Sequence, residues 1–393
     1  MVEPAQVLIV GAGPVGLTTA LALSRAGIAV RIVDADETID RRMRASMVHP
    51  PTLDMLDDLG VAVSLVRMGR KVQRWQIRQH ESGESVTFDL AAIADATQHP
   101  YRLQVEQRHL GSLLIDALAE HGVHIEFRTR VESLMQDSDV VTLRTSDGQS
   151  IQSHWVIGAD GTDSAVRASA RITFDGDTNE HGTILVATDF PFHEHLPDLT
   201  DVAYCWSNRG PFTLLRLKNY WRVSLHAPVA ELDTCAEEEN IREWLGFIHE
   251  DARNAKITGI APYVVRERCV KRFRAGRVLL AGNAAHVNPP SGGMGMNAGI
   301  HDAVNLASKL TEVMNGASTD LLLQYDRQRR HAIANRVLPQ AVANRARMAE
   351  QNRGTHARRL ARYRAIAADP EICRQFLLAG SMITSLEEAR AIE

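Results

Sequence analysis

Cysteine is scarce in this 393-residue chain: Cys205, Cys235, Cys269 and Cys373 lie far apart, with no C-x-x-C pair. That excludes a zinc site built on paired thiols and a dithiol redox centre, leaving four separate, reduced thiols as the expectation. Net charge is almost absent, a formal −4 from 44 basic and 48 acidic residues, so no nucleic acid or other bulk electrostatic partner is implied. One local exception, the arginine-rich stretch 345–364, alternates its basic residues with Ala and Leu at helical spacing and reads as a solvated helix face. No apolar run approaches the roughly 18 residues a membrane span needs. No basic-then-apolar leader precedes the first strand-like segment, at about Gln6, so a cytoplasmic location is expected. Paired carboxylates, a nucleophile elbow and H-E-x-x-H are missing, which leaves hydrolase and metalloenzyme readings without support. Low complexity is missing too. With 45% hydrophobic and 23% charged residues, the chain falls in the soluble globular class and is long enough for two domains.

What is present begins with a βαβ unit. QVLIV is apolar and β-branched, GAGPVG is a turn, LTTALALSRAG is helical with Gly27 as its stop, and AVRIVDAD is a second strand. A helix over 51–59, alternating residues over 72–88 and a helix over 105–121 ending at Gly122 follow, then a strand leading into WVIGADG. From 173 to 270 the character changes to short strand-like runs (YCWSN, PFTLLRL, YWRVSLHAP) with a helical insert over 237–250. RVLLAG then restores a buried strand and GMNAGIHDAVNLASKLTEVM a helix, starting near Met296 or Asn297. From about Asp320 the chain is mostly helical. The pattern predicts an α/β fold in which a Rossmann-type domain (1–72, 100–172, 271–335) is interrupted by a mixed-sheet domain (73–99, 173–270) and followed by C-terminal helices (336–393).

Three stretches carry chemistry. Gly11, Gly13 and Gly16 form G-x-G-x-x-G between strand and helix, with Pro14 and Val15 completing the loop. The first glycine permits the tight turn, the second lets a pyrophosphate approach the backbone, and the third lets helix and strand pack closely at a terminus that attracts phosphate. Asp34 ends the second strand about 20 residues on, where a carboxylate accepts from ribose hydroxyls and repels a 2′-phosphate, favouring FAD or NAD over NADP here. The second stretch is Gly158-Ala159-Asp160-Gly161 with Ser164 and Arg167. The third, GRVLLAGNAAHVNPPSGGMGMNAGIHDAVNLASKL, ends in a helix whose first N–H groups would stabilise negative charge on a bound group.

Together, in order and spacing over about residues 5 to 335, these stretches resemble the nucleotide fingerprint, the DG motif and the flavin-ribityl motif of single-component FAD-dependent aromatic hydroxylases, the para-hydroxybenzoate hydroxylase-like flavoprotein monooxygenases. The resemblance implies bound FAD, with NADH or NADPH as a transient reductant that docks without a Rossmann unit of its own. It implies hydroxylation of an electron-rich phenolic or heteroaromatic ring with O₂, through a flavin C4a-hydroperoxide. It also assigns positions. Arg44, in the segment Arg42-Met43-Arg44-Ala45-Ser46, would reach the cofactor phosphates; Gln104 would lie beside the flavin; Asp160 would serve both cofactors. Pro290, with Pro289, would lie against the ring, and Gly295, Met296 and Asn297 would open the flavin-facing helix. Where the family usually has Asp, this chain has Asn283, whose carbonyl can accept the same ribityl bond without charge. On the substrate side, Tyr204 with Arg209-Gly210 matches a Y-x4-R-G spacing whose tyrosine touches the phenol oxygen, and Arg216 is a candidate for a substrate carboxylate. His49 reads as a structural histidine and His226 as a base with no located ring. The C-terminal helices are expected over the active-site side or an interface, in a monomer or homodimer. Two other readings share the motifs: an FAD epoxidase or reductase of the same fold, and a flavin-binding protein without turnover.

Overall fold

The computed structural model describes residues 5–44, 46–349 and 353–393. Ala45, in the arginine loop, and residues 350–352, in the arginine-rich stretch, lie outside the described residues. The first sheet has eight strands. Its parallel centre runs Val278–Leu280, Ser150–Gly158, Ala5–Val10, Val30–Val33 and Ile125–Glu126, with Arg274–Ala275 at one edge and the hairpin strands Val131–Gln136 and Val141–Thr145 branching from Ser150–Gly158. Helices Pro14–Arg25, Gln107–Glu120 and Met294–Met314 cover it, and their apolar faces close one large core with the strands. The central strands read as continuous apolar runs because both of their faces are buried.

A second sheet of seven strands runs in the order Ile257–Tyr263, His181–Thr188, Trp221–Pro228, Phe212–Arg216, Val202–Trp206, Arg74–Gln79 and Ser85–Asp89. Most of its pairs are antiparallel, so side chains alternate between two different environments. One face packs Phe212, Leu214, Val223 and Leu225 against the helix Glu238–Ile248 through Ile241 and Leu245. The other faces the eight-stranded sheet. Two three-stranded sheets lie between them. One orders Met47–Val48, Arg102–Gln104 and Arg70–Val72; the other orders Phe174–Thr178, Arg266–Val270 and His286–Val287.

The C-terminal helices form a third core at one end of the second sheet, where Leu360, Tyr363, Leu377 and Leu378 meet Trp75, Phe88, Val202 and Trp206. The arginine-rich stretch 345–364 divides: Arg358, Arg362 and Arg364 are exposed, as a solvated face requires, while Arg345 and Arg359 are half-buried. Arg345 Nη2 donates to His181 O at 2.6 Å, and Arg359 Nη1 donates to Arg347 O at 2.7 Å. Trp206 Nε1 also donates to Arg347 O, at 3.1 Å. Helical spacing shows which residues share a face but not whether that face meets water or a sheet. The long helix also starts earlier than the sequence suggests, at Met294, because Gly292 (φ +97°) and Gly293 (φ +68°) take the chain straight from the proline loop into the first turn. Among the described residues, no helix is long and apolar enough to cross a membrane.

Candidate active site

The strand Ala5–Val10 ends at Gly11, whose φ of +108° only glycine adopts easily. A Cβ there would stand 2.4 Å from Ala159 O, and one on Gly16 would stand 1.9 Å from Gly11 O, so both glycines are fixed by close approach of the backbone. Gly13 is different: a Cβ would meet nothing within 4 Å. It caps the helix Pro14–Arg25, which has no side-chain cap, so free N–H groups face open space. Asp34 is half-buried and does not line that open space. Its Oδ2 accepts from Ala12 N at 2.5 Å and its Oδ1 from Asp36 N at 2.8 Å, bracing the glycine turn from behind.

That open space belongs to a cavity of about 810 Å³ between the two large sheets. One half is lined by Gly13, Pro14, Val15, Arg44, Asp160, Asn283, Pro290, Gly295 and Met296. Val15 also sets a close approach of two helices, since a Cβ on Gly282 or Gly299 would come within 2.8 or 2.6 Å of its Cγ2. Asp160 accepts from Ser164 Oγ at 2.5 Å and from Val166 N at 3.1 Å; burial lifts its pKa above the ordinary value, against these bonds. Arg167 donates to Thr162 O at 2.8 Å and to Ala284 O at 3.0 Å, tying the DG turn to the turn that carries Asn283. At the cavity edge Asp40 takes Arg42 Nε at 2.8 Å and Arg44 Nε at 3.0 Å; partial burial opposes its ionisation, yet the arginine bonds hold its pKa at about 2.

Asn297 and Gln104 sit one layer behind this lining. Asn297 Oδ1 accepts from His49 N at 2.8 Å and its Nδ2 donates to Met47 O at 2.9 Å, stitching the helix start to the strand Met47–Val48. Gln104 is fully buried. Its Oε1 accepts from Ser46 Oγ at 3.2 Å, while its Nε2 has no partner. His49 donates from Nε2 to Gly292 O at 2.8 Å, and burial, then Arg102, pushes its pKa down to about 3, so it is neutral and structural.

Sequence reasoning missed the anchor of the ribityl turn. Asp302 is fully buried and accepts from Gly282 N at 2.9 Å, pairs with His286 Nε2 at 2.7 Å and binds Arg329 Nε at 2.6 Å. Burial opposes its ionisation, but His286 and Arg329 hold its pKa at about 2. Its signal was an acid in the middle of an apolar helix stretch, GIHDAVNL, where an isolated charge is costly unless paired.

The other half of the cavity is built from alternate residues of the seven-stranded sheet. Ile77, Tyr204, Thr213, Ser224 and Leu185 form one row across five strands, each paired in register with the next and each lining the cavity. Trp75 meets Tyr204 edge-on at 5.6 Å between ring centroids; Trp206, Tyr363 and Phe376 line the same end. At the opposite end Thr183 pairs in register with both His226 and Tyr263. Burial, then Arg345, lowers the His226 pKa to about 4, leaving it a neutral ring.

Arg216 does not belong to this site. Residues 213 and 215 line the cavity, so period-two alternation turns Arg216 to the other face, where Nη1 meets Asp201 Oδ1 at 3.3 Å. The neighbouring strand supplies an arginine that does line the cavity. Arg222 is buried, with Nη2 at 2.7 Å from Glu106 Oε1 and Nη1 donating to Arg44 O at 2.7 Å. It therefore locks the phosphate-side loop to the sheet.

A bare helix N-terminus at Gly13, a second at Gly293, a buried unpartnered Gln104 amide and an exposed Asn283 around one cavity fit a flavin dinucleotide. Fold and site define a dinucleotide-binding flavoprotein with an attached aromatic chamber. A family described as "FAD binding domain" matches residues 4–341, and the chain belongs to it. The chain is 32% identical to a para-nitrophenol 4-monooxygenase of Pseudomonas sp. over 381 residues, 95% of this chain and 94% of that protein. It is 31% identical to a 6-hydroxy-3-succinoylpyridine 3-monooxygenase of Pseudomonas putida, over 86% of this chain and 88% of that one. Among solved structures, a p-nitrophenol 4-monooxygenase from Pseudomonas putida superposes with a TM-score of 0.90 at 30% identity, covering 98% of this chain and 99% of that one. Aklavinone-11 hydroxylase with FAD and aklavinone gives 0.78 at 29% identity, covering 89% and 70%. This chain is an FAD-dependent aromatic monooxygenase.

Proposed function

We propose that the chain hydroxylates a small phenolic or hydroxypyridine-like ring, using NADH or NADPH and O₂, with the ring held in the chamber of Trp75, Tyr204 and Trp206. One observation carries this reading: the same cavity is lined by the dinucleotide loop at one end and by aromatic side chains at the other, so a bound ring stands next to the cofactor. Flavin, when bound, supplies the reduced and oxygen-activating chemistry. The chain's own residues do the rest. Gly13 and the helix behind it take the pyrophosphate, Arg44 adds charge at the phosphates, and Asn283 offers the ribityl chain an uncharged acceptor. Pro290 and the start of the helix Met294–Met314 bound the ring system, where unpaired N–H groups favour anionic character. Tyr204 orients the substrate oxygen by hydrogen bonding, and the apolar side chains of Ile77, Leu185 and Leu215 keep water away from the reacting carbon.

The two cited Pseudomonas relatives carry a nitrophenol and a hydroxypyridine in their names, and both are small enough for such a chamber. The test is to incubate the FAD-loaded enzyme with NADH or NADPH, isotopically labelled O₂ and a panel of phenols and hydroxypyridines. A product carrying one labelled oxygen on a ring carbon is expected. Reductant consumption with only peroxide formed, across the whole panel, would overturn the reading.

A further inference from the structure

The aromatic end of the cavity holds a positive charge with no counter-ion. Arg102 lies in the middle strand of a three-stranded sheet, is 4% exposed and lines the cavity. Its Nε and Nη1 have no partner, and among the described residues no carboxylate pairs with it. Its guanidinium carbon stands 4.7 Å from the Trp75 ring centroid, and the Tyr204 hydroxyl is within hydrogen-bonding reach. Of the other buried arginines, Arg222 and Arg329 are paired with Glu106 and Asp302, while Arg78 and Arg167 donate to backbone carbonyls and do not line the cavity. Burying a guanidinium without such a partner costs several kcal/mol, and a fold keeps one where a ligand completes the pair. The planar fork suits two oxygens of one carboxylate, or a phenolate oxygen shared with Tyr204.

We propose that the aromatic substrate binds as an anion, with a phenolate or carboxylate oxygen docked on the Arg102 guanidinium, and that Arg102 thereby selects charged rings over neutral ones. The inference rests on the reading of the cavity's aromatic end as a ring site. Tyr204 gains a defined role: accepting from Arg102 leaves its own proton directed elsewhere, as the donor to the same substrate oxygen. A neutral ring of equal shape leaves the guanidinium unpaired, as it is before binding, so only an anion gains the charged pair, and that gain is the source of selectivity.

Binding, rather than turnover, tests this. FAD-loaded enzyme is titrated calorimetrically at mildly alkaline pH with 4-nitrophenol, which is then a phenolate, with 4-hydroxybenzoate, a carboxylate, and with the neutral rings 4-hydroxybenzamide and 4-cresol. At least one anion is expected to bind about tenfold or more tightly than both neutral rings, the advantage of a charged hydrogen bond. The anion that does so identifies the oxygen as phenolate or carboxylate. In Arg102→Met that advantage should shrink to within about threefold, with neutral-ring affinity and flavin content little changed. Arg102→Lys, which keeps the charge but not the fork, should fall between, and it carries the test if the Met variant fails to fold. An anion advantage undiminished in Arg102→Met, or in Arg102→Lys where that variant carries the test, no advantage in the wild type, or no binding of any of the four rings would each overturn the proposal. Arg102-dependent anion binding without labelled oxygen entering any ring would sink the hydroxylase reading and leave this one standing.

Discussion

The two ends of the cavity are made in different ways. The cofactor end is made of backbone: three glycine-bearing turns whose N–H groups and close approaches do the work, with side chains such as Asp34, Asn297 and Asp302 bracing them from behind. The substrate end is made of side chains, drawn one or two at a time from alternate positions on five strands and from the C-terminal helices. Backbone geometry tolerates little change of residue, whereas a side-chain surface is retuned one position at a time. A single fold can therefore keep one dinucleotide while its ring specificity drifts.

If that contrast is right, the largest effects come from the cofactor end. Gly16→Ala sets a methyl group 1.9 Å from Gly11 O and should destabilise the fold by about 3 kcal/mol or more, read as a collapse in Tm with loss of flavin. Gly13→Asp sharpens the point. Its Cβ enters open space, so the flavin-free chain should fold, yet the added charge and bulk beside the pyrophosphate should abolish flavin retention. A Gly13→Asp enzyme with stoichiometric FAD would show that the cradle lies elsewhere.

Acid should erode both ends together. His49 and His226 are neutral in the fold, with pKa values pushed to about 3 and about 4, and burial also drives His301 well below its usual value. Each gains a proton in the unfolded chain below its ordinary pKa of about 6.5 but not in the folded one. Stability should therefore fall as pH drops from about 6.5 toward 4, by up to about 1.4 kcal/mol per pH unit for each histidine. Denaturant titrations at stepped pH would read this, and a flat profile over that window would contradict the buried, neutral assignment.

At the substrate end the effects should be confined to turnover. Tyr204→Phe should keep full flavin content while kcat falls about 10- to 100-fold on a phenolic substrate. Arg216→Met should change kcat/KM by less than about threefold and stability by less than about 1 kcal/mol, because the residue faces away from the cavity in a partly exposed ion pair with Asp201. A large kinetic loss in that variant would place the substrate on the opposite face of the sheet. The smallest effect is expected for Asn283→Asp, with FAD affinity equal or slightly higher by fluorescence titration. A marked loss there would give the asparagine a role beyond a neutral acceptor.

Legibility followed the same division. The glycine turn, the DG turn and the ribityl segment could each be read because their chemistry sits in contiguous residues: Gly11 needs its positive φ whatever surrounds it. Spacing did not show that Asn297 is fully buried and bonded to the strand Met47–Val48, or that Asp34 also braces the glycine turn through Ala12 N. Arg216 and Arg102 show the harder case. On a strand, a shift of one residue exchanges cavity for outer face, and nothing local to LLRL says which of its residues looks inward. Arg102 lies two residues before Gln104 in YRLQ, and only its burial once the sheets have packed makes it an unpaired charge rather than a solvated one.

The sequence by itself determined the dinucleotide-binding α/β frame, the flavin chemistry and the conformation of the glycine turns, because local backbone conformation and helix termini depend on neighbours in the chain. Tertiary structure alone decided which face of the second sheet meets that cofactor, which arginines are paired, and that the C-terminal helices seal the aromatic end. Burial and electrostatic pairing arise between residues far apart in the chain, and they exist only once the sheets have packed.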